Sequence, residues 1–245
     1  MVVEIVLSPR DENIGIVLDA IRRTTGEIST QVCDYLLYGV EGTFGQIEDT
    51  IKARGRRSFN IRGRGFEFEF SLVANSNLEF FRIKNLIERT VKPIDWLNNF
   101  LDLPNFTMAW VFNEEYDYWQ NATSIEQYAA ANRPYKDLPL KSNGLPPPVH
   151  RMEIDISSNP GRRVLRYGYI EAVGSRMWLG RQFWALSGAD REKLSTLDFL
   201  DVTTTRAGVT QVLASENCFK SALGGEGRLQ NSLRAVLFPA SAMPS

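Results

Sequence analysis

Two pairs of carboxylates, Glu67 with Glu69 and Glu153 with Asp155, stand at i, i+2 within strand-like patterns. That spacing turns both side chains of a pair to one face of a strand. There they suit a Mg²⁺-dependent nuclease or an acid/base couple. Half-exposed strands produce the same pattern without any chemistry, so the structural reading stands beside the catalytic one. His150 is the single histidine and follows Pro146-Pro147-Pro148, which removes multi-histidine metal sites and leaves any Ser-His or Cys-His pair resting on a linker-like residue. Cys33 and Cys218 are far apart and form no CxxC, so they read as reduced buried thiols rather than zinc ligands or a disulfide framework. The chain has no GxxxxGK[ST] loop, and Gly224-Gly225-Glu226-Gly227 reads as a turn. No catalytic residue, metal ligand or cofactor is assigned.

A different kind of cluster follows a predicted strand at Phe106 to Phe112: Glu114, Glu115, Tyr116, Asp117, Tyr118 and Trp119, three carboxylates interleaved with three large aromatics. Tyr and Trp are favoured at interface hot spots, and neighbouring carboxylates steer a basic partner. The same residues also suit an acidic first helical turn with its aromatics facing the core. The basic counterpart is Lys52-Ala53-Arg54-Gly55-Arg56-Arg57 with Arg62 and Arg64, which reads as a phosphate grip or as a solvated helix end and loop. Lys and Arg number 28 against 29 Asp and Glu, a net charge of -1. That balance argues against broad nucleic-acid binding.

The elements that must position these groups come from periodicity. Val2 to Leu7 reads as a strand, and Ser8-Pro9 as the start of a helix carrying Ile14, Val17, Leu18 and Ile21, with Gly26 as its stop. Ile28 to Tyr38 is ambiguous between helix and strand. Thr43 with Gln46 forms a capping box for a helix over Phe44, Ile47 and Ile51. Phe66 to Leu72, Asn75-Ser76-Asn77 and Leu78 to Ile83 read as a hairpin with three Phe on one face. Pro93 opens a helix with Ile94, Leu97 and Leu101. Thr123 with Glu126 caps a short helix ending near Asn132.

Met152, Ile154 and Ile156 share a face of a strand, Ser158-Asn159-Pro160-Gly161 supplies a turn, and Val164 to Val173 returns as a doubly covered central strand, with Gly168 leaving room for a neighbour. Trp178, Phe183 and Trp184 then enter the core. Asp190 leads a short helix through Leu194, Val209 to Leu213 is a strand, and Leu229, Leu233 and Leu237 line a final helix. The expectation is an α+β fold, a mostly antiparallel sheet built on β-hairpins with helices packed on one side. It forms a single unit over 1–245, with a lobe boundary, if any, in the Pro-rich linker 134–148. The N-terminal apolar run is broken by Glu4 and too short for a signal or a span. A cytoplasmic protein without membrane contact is expected.

Asn159-Pro160-Gly161-Arg162-Arg163-Val164-Leu165 through Tyr167 to Val173, with Met177-Trp178-Leu179-Gly180, resembles bacterial immunity-type proteins encoded beside polymorphic or type VI secreted toxins. The likeness covers about 30 residues and carries over no functional residue. It implies a cytosolic protein that binds a cognate toxin and occludes its active site, through a basic toxin surface if Glu114 to Trp119 is the contact. A metal-dependent hydrolase or nuclease, and a secretion adaptor or scaffold, remain the alternatives.

Overall fold

The computed structural model describes residues 1–28, 35–53, 58–63, 65–86, 93–205 and 208–239. Cys33 and, of the basic cluster, Arg54, Gly55, Arg56, Arg57 and Arg64 lie outside the described residues. The chain opens with β1 (Val2–Leu7), α1 (Asn13–Ile28), β2 (Tyr35–Leu37), β3 (Val40–Gly42), α2 (Phe44–Ala53), β4 (Ser58–Gly63), β5 (Phe66–Val73) and β6 (Leu78–Asn85). It continues with α3 (Pro93–Leu101), β7 (Phe106–Phe112), α4 (Glu114–Asn121), α5 (Ile125–Ala130), β8 (Leu140–Ser142) and β9 (Met152–Ile154). The remainder is β10 (Val164–Arg166), β11 (Tyr169–Glu171), β12 (Arg176–Leu179), α6 (Arg181–Ser187), α7 (Arg191–Ser195), β13 (Asp201–Thr204), β14 (Thr210–Leu213) and α8 (Gly224–Leu237).

Among the described residues, ten strands form one sheet in the order β13-β14-β12-β7-β1-β6-β5-β4-β2-β3. Every neighbouring pair is antiparallel, so the α+β, antiparallel architecture is as read. β1 lies at its centre and all six of its residues are buried. Strand alternation sends them into two different cores. Val3, Ile5 and Leu7 join Val17, Leu18 and Ile21 of α1, Ile47 and Ile51 of α2, and Phe66, Phe68 and Phe70 of β5. Val2 and Val6 join Met108 and Trp110 of β7, Phe183 of α6, Leu194 of α7, and Leu233 and Leu237 of α8. Helices therefore cover both faces of the sheet, not one. A single helical layer cannot bury a strand that, apart from Glu4, is apolar on both faces.

The β5–β6 hairpin closes through Asn77 in the left-handed region, φ 48. Phe68, Phe70 and Phe81 are almost fully buried, each contributing roughly 1.5–3 kcal/mol relative to exposure. The Thr43 capping box forms: the Thr43 N–H donates to Gln46 Oε1 at 2.9 Å and the Gln46 N–H donates back to Thr43 Oγ1 at 3.4 Å. Several boundaries move. α1 starts at Asn13 and passes Gly26, α5 is capped by Ser124, and the Gly224 run is the first turn of α8. Tyr35–Leu37 of the ambiguous stretch is strand.

The Met152 hairpin is corrected. β9 pairs with β8, out of the Pro-rich segment, and β10 pairs with β11. Gly168, at φ 80, is the turn between those two strands. Val164 to Val173 is thus two short strands with Leu165 exposed. The buried central strand is the next one, β12, whose Met177, Trp178 and Leu179 are all fully buried.

Candidate functional site

α4 follows β7 without a loop because Asn113 caps it, its Oδ1 accepting from the Tyr116 N–H at 2.9 Å. Glu114, Glu115 and Asp117 then occupy the first turn, where the exposed N–H groups favour negative charge. Side chains three and four apart share a helix face, and this divides the cluster. Glu115, Tyr116 and Trp119 line one cleft of about 730 Å³ together with Leu138, Pro139, Ile154, Asp155 and the segment Lys220 to Leu223. Glu114, Asp117 and Tyr118 line another of about 460 Å³, floored by Val2, Arg82 and Phe112. α4 is the ridge between two clefts.

The six residues differ in what holds them. Glu114 accepts from Lys84 Nζ at 2.8 Å and Glu115 from Arg133 Nη2 at 2.9 Å, both exposed pairs, each worth under about 1 kcal/mol. Tyr118 is 47% exposed. Trp119 packs edge-on to Tyr128 with rings 4.9 Å apart and carries the Arg133 guanidinium 4.3 Å above its own ring. The Tyr116 hydroxyl donates to Gln230 Oε1 of α8 at 3.0 Å, and burial pushes its pKa up to about 12. Asp117 faces inward and accepts from Arg163 Nε at 2.7 Å.

Beneath Asp117 lies a buried ion network. Glu4, 2% exposed in the middle of β1, accepts from Arg163 Nη1 on both oxygens at 2.9 Å. Arg82 Nε and Nη2 reach Glu4 Oε2 at 3.0 and 2.9 Å. The Arg163 guanidinium also lies 4.5 Å from the Phe112 ring centre and 5.2 Å from that of Trp110, where cation–π attraction is strengthened by desolvation. Burial alone would raise the Glu4 carboxyl, but Arg163 and Arg82 outweigh it and hold it below its usual value. Burial likewise pulls Arg163 down, and Glu4 with Asp117 push it above normal. For Asp117 burial prevails over Arg163 and its pKa is raised. The network ties α4 to the sheet, since β1 and β6 supply Glu4 and Arg82, α4 supplies Asp117, and the segment before β10 supplies Arg163.

Sequence spacing places Glu114, Glu115 and Asp117 together, and the structure keeps them on one helix turn. Sequence spacing does not reveal Glu4 and Arg163, which the structure brings together. The one sequence signal for Glu4 is a carboxylate inside an otherwise apolar strand, which demands a partner. The strand carboxylates do not converge. Glu67 accepts from Asn60 and Arg62 at 3.1 Å, and Glu69 from Arg82 at 3.2 Å. Glu153 in β9 of the separate β8–β9 pair, and Asp155 just after it, meet Arg151 and Lys141 at 3.5 and 3.4 Å. Among the described residues no group of three His, Cys, Asp or Glu is placed to hold a metal ion. His150 is exposed in the β8–β9 loop, and burial raises the Cys218 thiol. Among the described residues no helix is long and apolar enough to cross a membrane.

No family model matches the chain, and no curated protein does. Among solved structures it is similar to the Pseudomonas aeruginosa type VI secretion system (T6SS) protein PA0821, with a TM-score of 0.50 and 11% identity over 97% of this chain and 72% of that one. At that identity the likeness is one of fold.

Proposed function

We propose that this chain is a cytosolic immunity protein that binds a cognate secreted toxin and occludes its active site, with α4 as the acidic edge of the contact. The observation that carries the reading is the ridge. Glu114, Glu115 and Tyr118 stand outward between two clefts while Asp117 and Tyr116 anchor the same helix inward. A contact surface works best on a rigid element, because little ordering entropy is left to lose on binding. Exposed carboxylates there steer a basic partner and make association salt-sensitive. The fold likeness to a T6SS protein is consistent with a secretion-related setting.

The direct test is co-expression with the toxin encoded beside this protein's gene, together with calorimetry of the purified pair. Survival of the cells and a stoichiometric complex are the expected results. The fold likeness to a T6SS protein suits a secretion adaptor equally well, and an adaptor binds its cargo without protecting the cell. Binding without protection selects that reading; absence of binding removes both.

A further inference from the structure

Asp117 has one carboxylate oxygen committed and one not. Oδ1 accepts from Arg163 Nε at 2.7 Å, while Oδ2 accepts no hydrogen bond among the described residues and stays open to solvent. The residue lines the 460 Å³ cleft beside α4, together with Phe112, Tyr118, Thr123 and Gln127. The Thr123 hydroxyl and the Gln127 side-chain amide likewise make no hydrogen bond among the described residues. The ion pairs around this cleft do not close. Glu4, Glu69 and Asp117 share two cations, Arg82 and Arg163, whereas Glu114 takes Lys84 for itself. Among the described residues this connected set therefore holds one carboxylate more than it has cations. Burial disfavours the Asp117 anion more than Arg163 favours it, and its pKa is raised. Folding thus holds a negative charge where, at neutral pH, it lowers stability. Groups kept in that condition in a cleft concentrate at functional sites.

We infer that this cleft is a socket for one arginine side chain of the partner, its guanidinium hydrogen-bonded to Asp117 Oδ2 and laid along Tyr118. The inference rests on the toxin-binding reading and names one contact of that interface. The lining selects the occupant. A guanidinium is a planar fork of N–H donors with no acceptor, and Asp117, Thr123 and Gln127 offer it acceptors that nothing else uses. Tyr118, 47% exposed, supplies an aromatic wall on which arginine stacks better than lysine. Arg82 also lines the cleft, but Glu4 takes its Nε and Nη2 and Glu69 its Nη1, so its charge is already matched. The surplus carboxylate sets the sign against an anion. A metal ion requires several oxygen ligands, and among the described residues no group of three His, Cys, Asp or Glu is placed to hold one. The Asp117 side chain is 20% exposed, against 53% for Glu114 and 76% for Glu115. A pair formed in the socket is therefore screened less than one formed on the ridge above it.

The test uses the full chain carrying Asp117→Asn and, as the probe, the toxin encoded beside its gene with its arginines and lysines replaced by alanine one at a time. Asn keeps an acceptor for Arg163 Nε and removes a charge that burial disfavours, so the thermal midpoint at neutral pH should not fall. Affinity for the unaltered toxin should drop about tenfold or more. One toxin arginine variant should lose the same factor against the wild-type chain and lose nothing further against Asp117→Asn, which is the signature of a direct pair. Thr123→Val touches no ion pair and should cost about threefold in affinity, a loss that vanishes against that same arginine variant. It keeps the assignment decidable if Asp117→Asn melts early. Losses that add for every arginine, or coupling to a lysine instead, overturn the socket. If Asp117→Asn binds as tightly as wild type while charge reversal at Glu114 and Glu115 weakens the complex, the socket is wrong and the toxin-binding reading survives. If the wild-type chain does not bind the toxin, that reading falls and the socket with it.

Discussion

Glu4 and Arg163 lie 159 residues apart in sequence and meet at 2.9 Å on both carboxylate oxygens at the centre of the sheet. Breaking a buried pair leaves the surviving charge uncompensated, at a cost of about 3–5 kcal/mol. Glu4→Gln and Arg163→Met should each lower stability by about 3 kcal/mol in urea denaturation at pH 7. A loss below about 1 kcal/mol for both would show that the network does not hold α4 to the sheet.

The same pair sets a pH dependence. Folding lowers the Glu4 pKa, so its contribution is present above its ordinary value of 4.5 and is lost as pH falls through the folded value. Asp117 acts with opposite sign: folding raises its pKa, so its contribution is complete below 3.8 and lost as pH rises through the folded value. The urea midpoint of the wild type should fall below about pH 4.5, and Glu4→Gln should flatten that fall. An unchanged acid limb in the variant would assign the dependence to other carboxylates.

Charge reversal separates anchor from surface on α4. Glu114→Lys with Glu115→Lys removes two exposed pairs, so stability should change by less than about 1 kcal/mol. Association with the proposed toxin partner should slow roughly tenfold or more at low salt, and the difference from wild type should shrink as salt screens the repulsion. Asp117→Lys puts a second cation beside Arg163 and should unfold the region instead, as near-ultraviolet circular dichroism would report. Unchanged toxin binding by the Glu114/Glu115 variant would take α4 out of the interface.

Gly174 and Gly180 bracket β12 where it packs on β7. A Cβ on Gly174 would stand 2.6 Å from the Val111 carbonyl oxygen, and one on Gly180 would stand 2.6 Å from that of Phe106. Backbone atoms within a sheet cannot step aside as a side chain does, so Gly174→Ala and Gly180→Ala should each cost about 1–3 kcal/mol. Gly188→Ala is the control for its φ of 67 alone, since nothing lies within 4 Å of its Cβ position.

What the sequence discloses follows from the range of each interaction. The Phe66, Phe68 and Phe70 strand with its turn at Asn77 is local in period and turn chemistry, and it forms as read. The Thr43 box is local too, closing over three residues. Met152 to Val173 misleads because its two strand-like runs flank a good turn signal, while their true partners are β8 within a proline-rich stretch and a strand beyond Gly168. Pairing choice depends on where the rest of the chain lies, and alternation does not encode it. The acidic-aromatic cluster is legible as a cluster, but the inward turn of Asp117 needs Arg163, whose position no spacing rule supplies. Helices on both faces were foreshadowed by Val2 to Leu7, a run apolar on both sides save for Glu4.

Asn143 holds the β8–β9 loop through its own amide, whereas Leu145 and Val149 point into water and contribute nothing to the interior. Substitution at 145 and 149 is therefore decoupled from folding. The scaffold thus tolerates a change of side-chain chemistry at these two positions, because the amide that shapes the loop lies elsewhere.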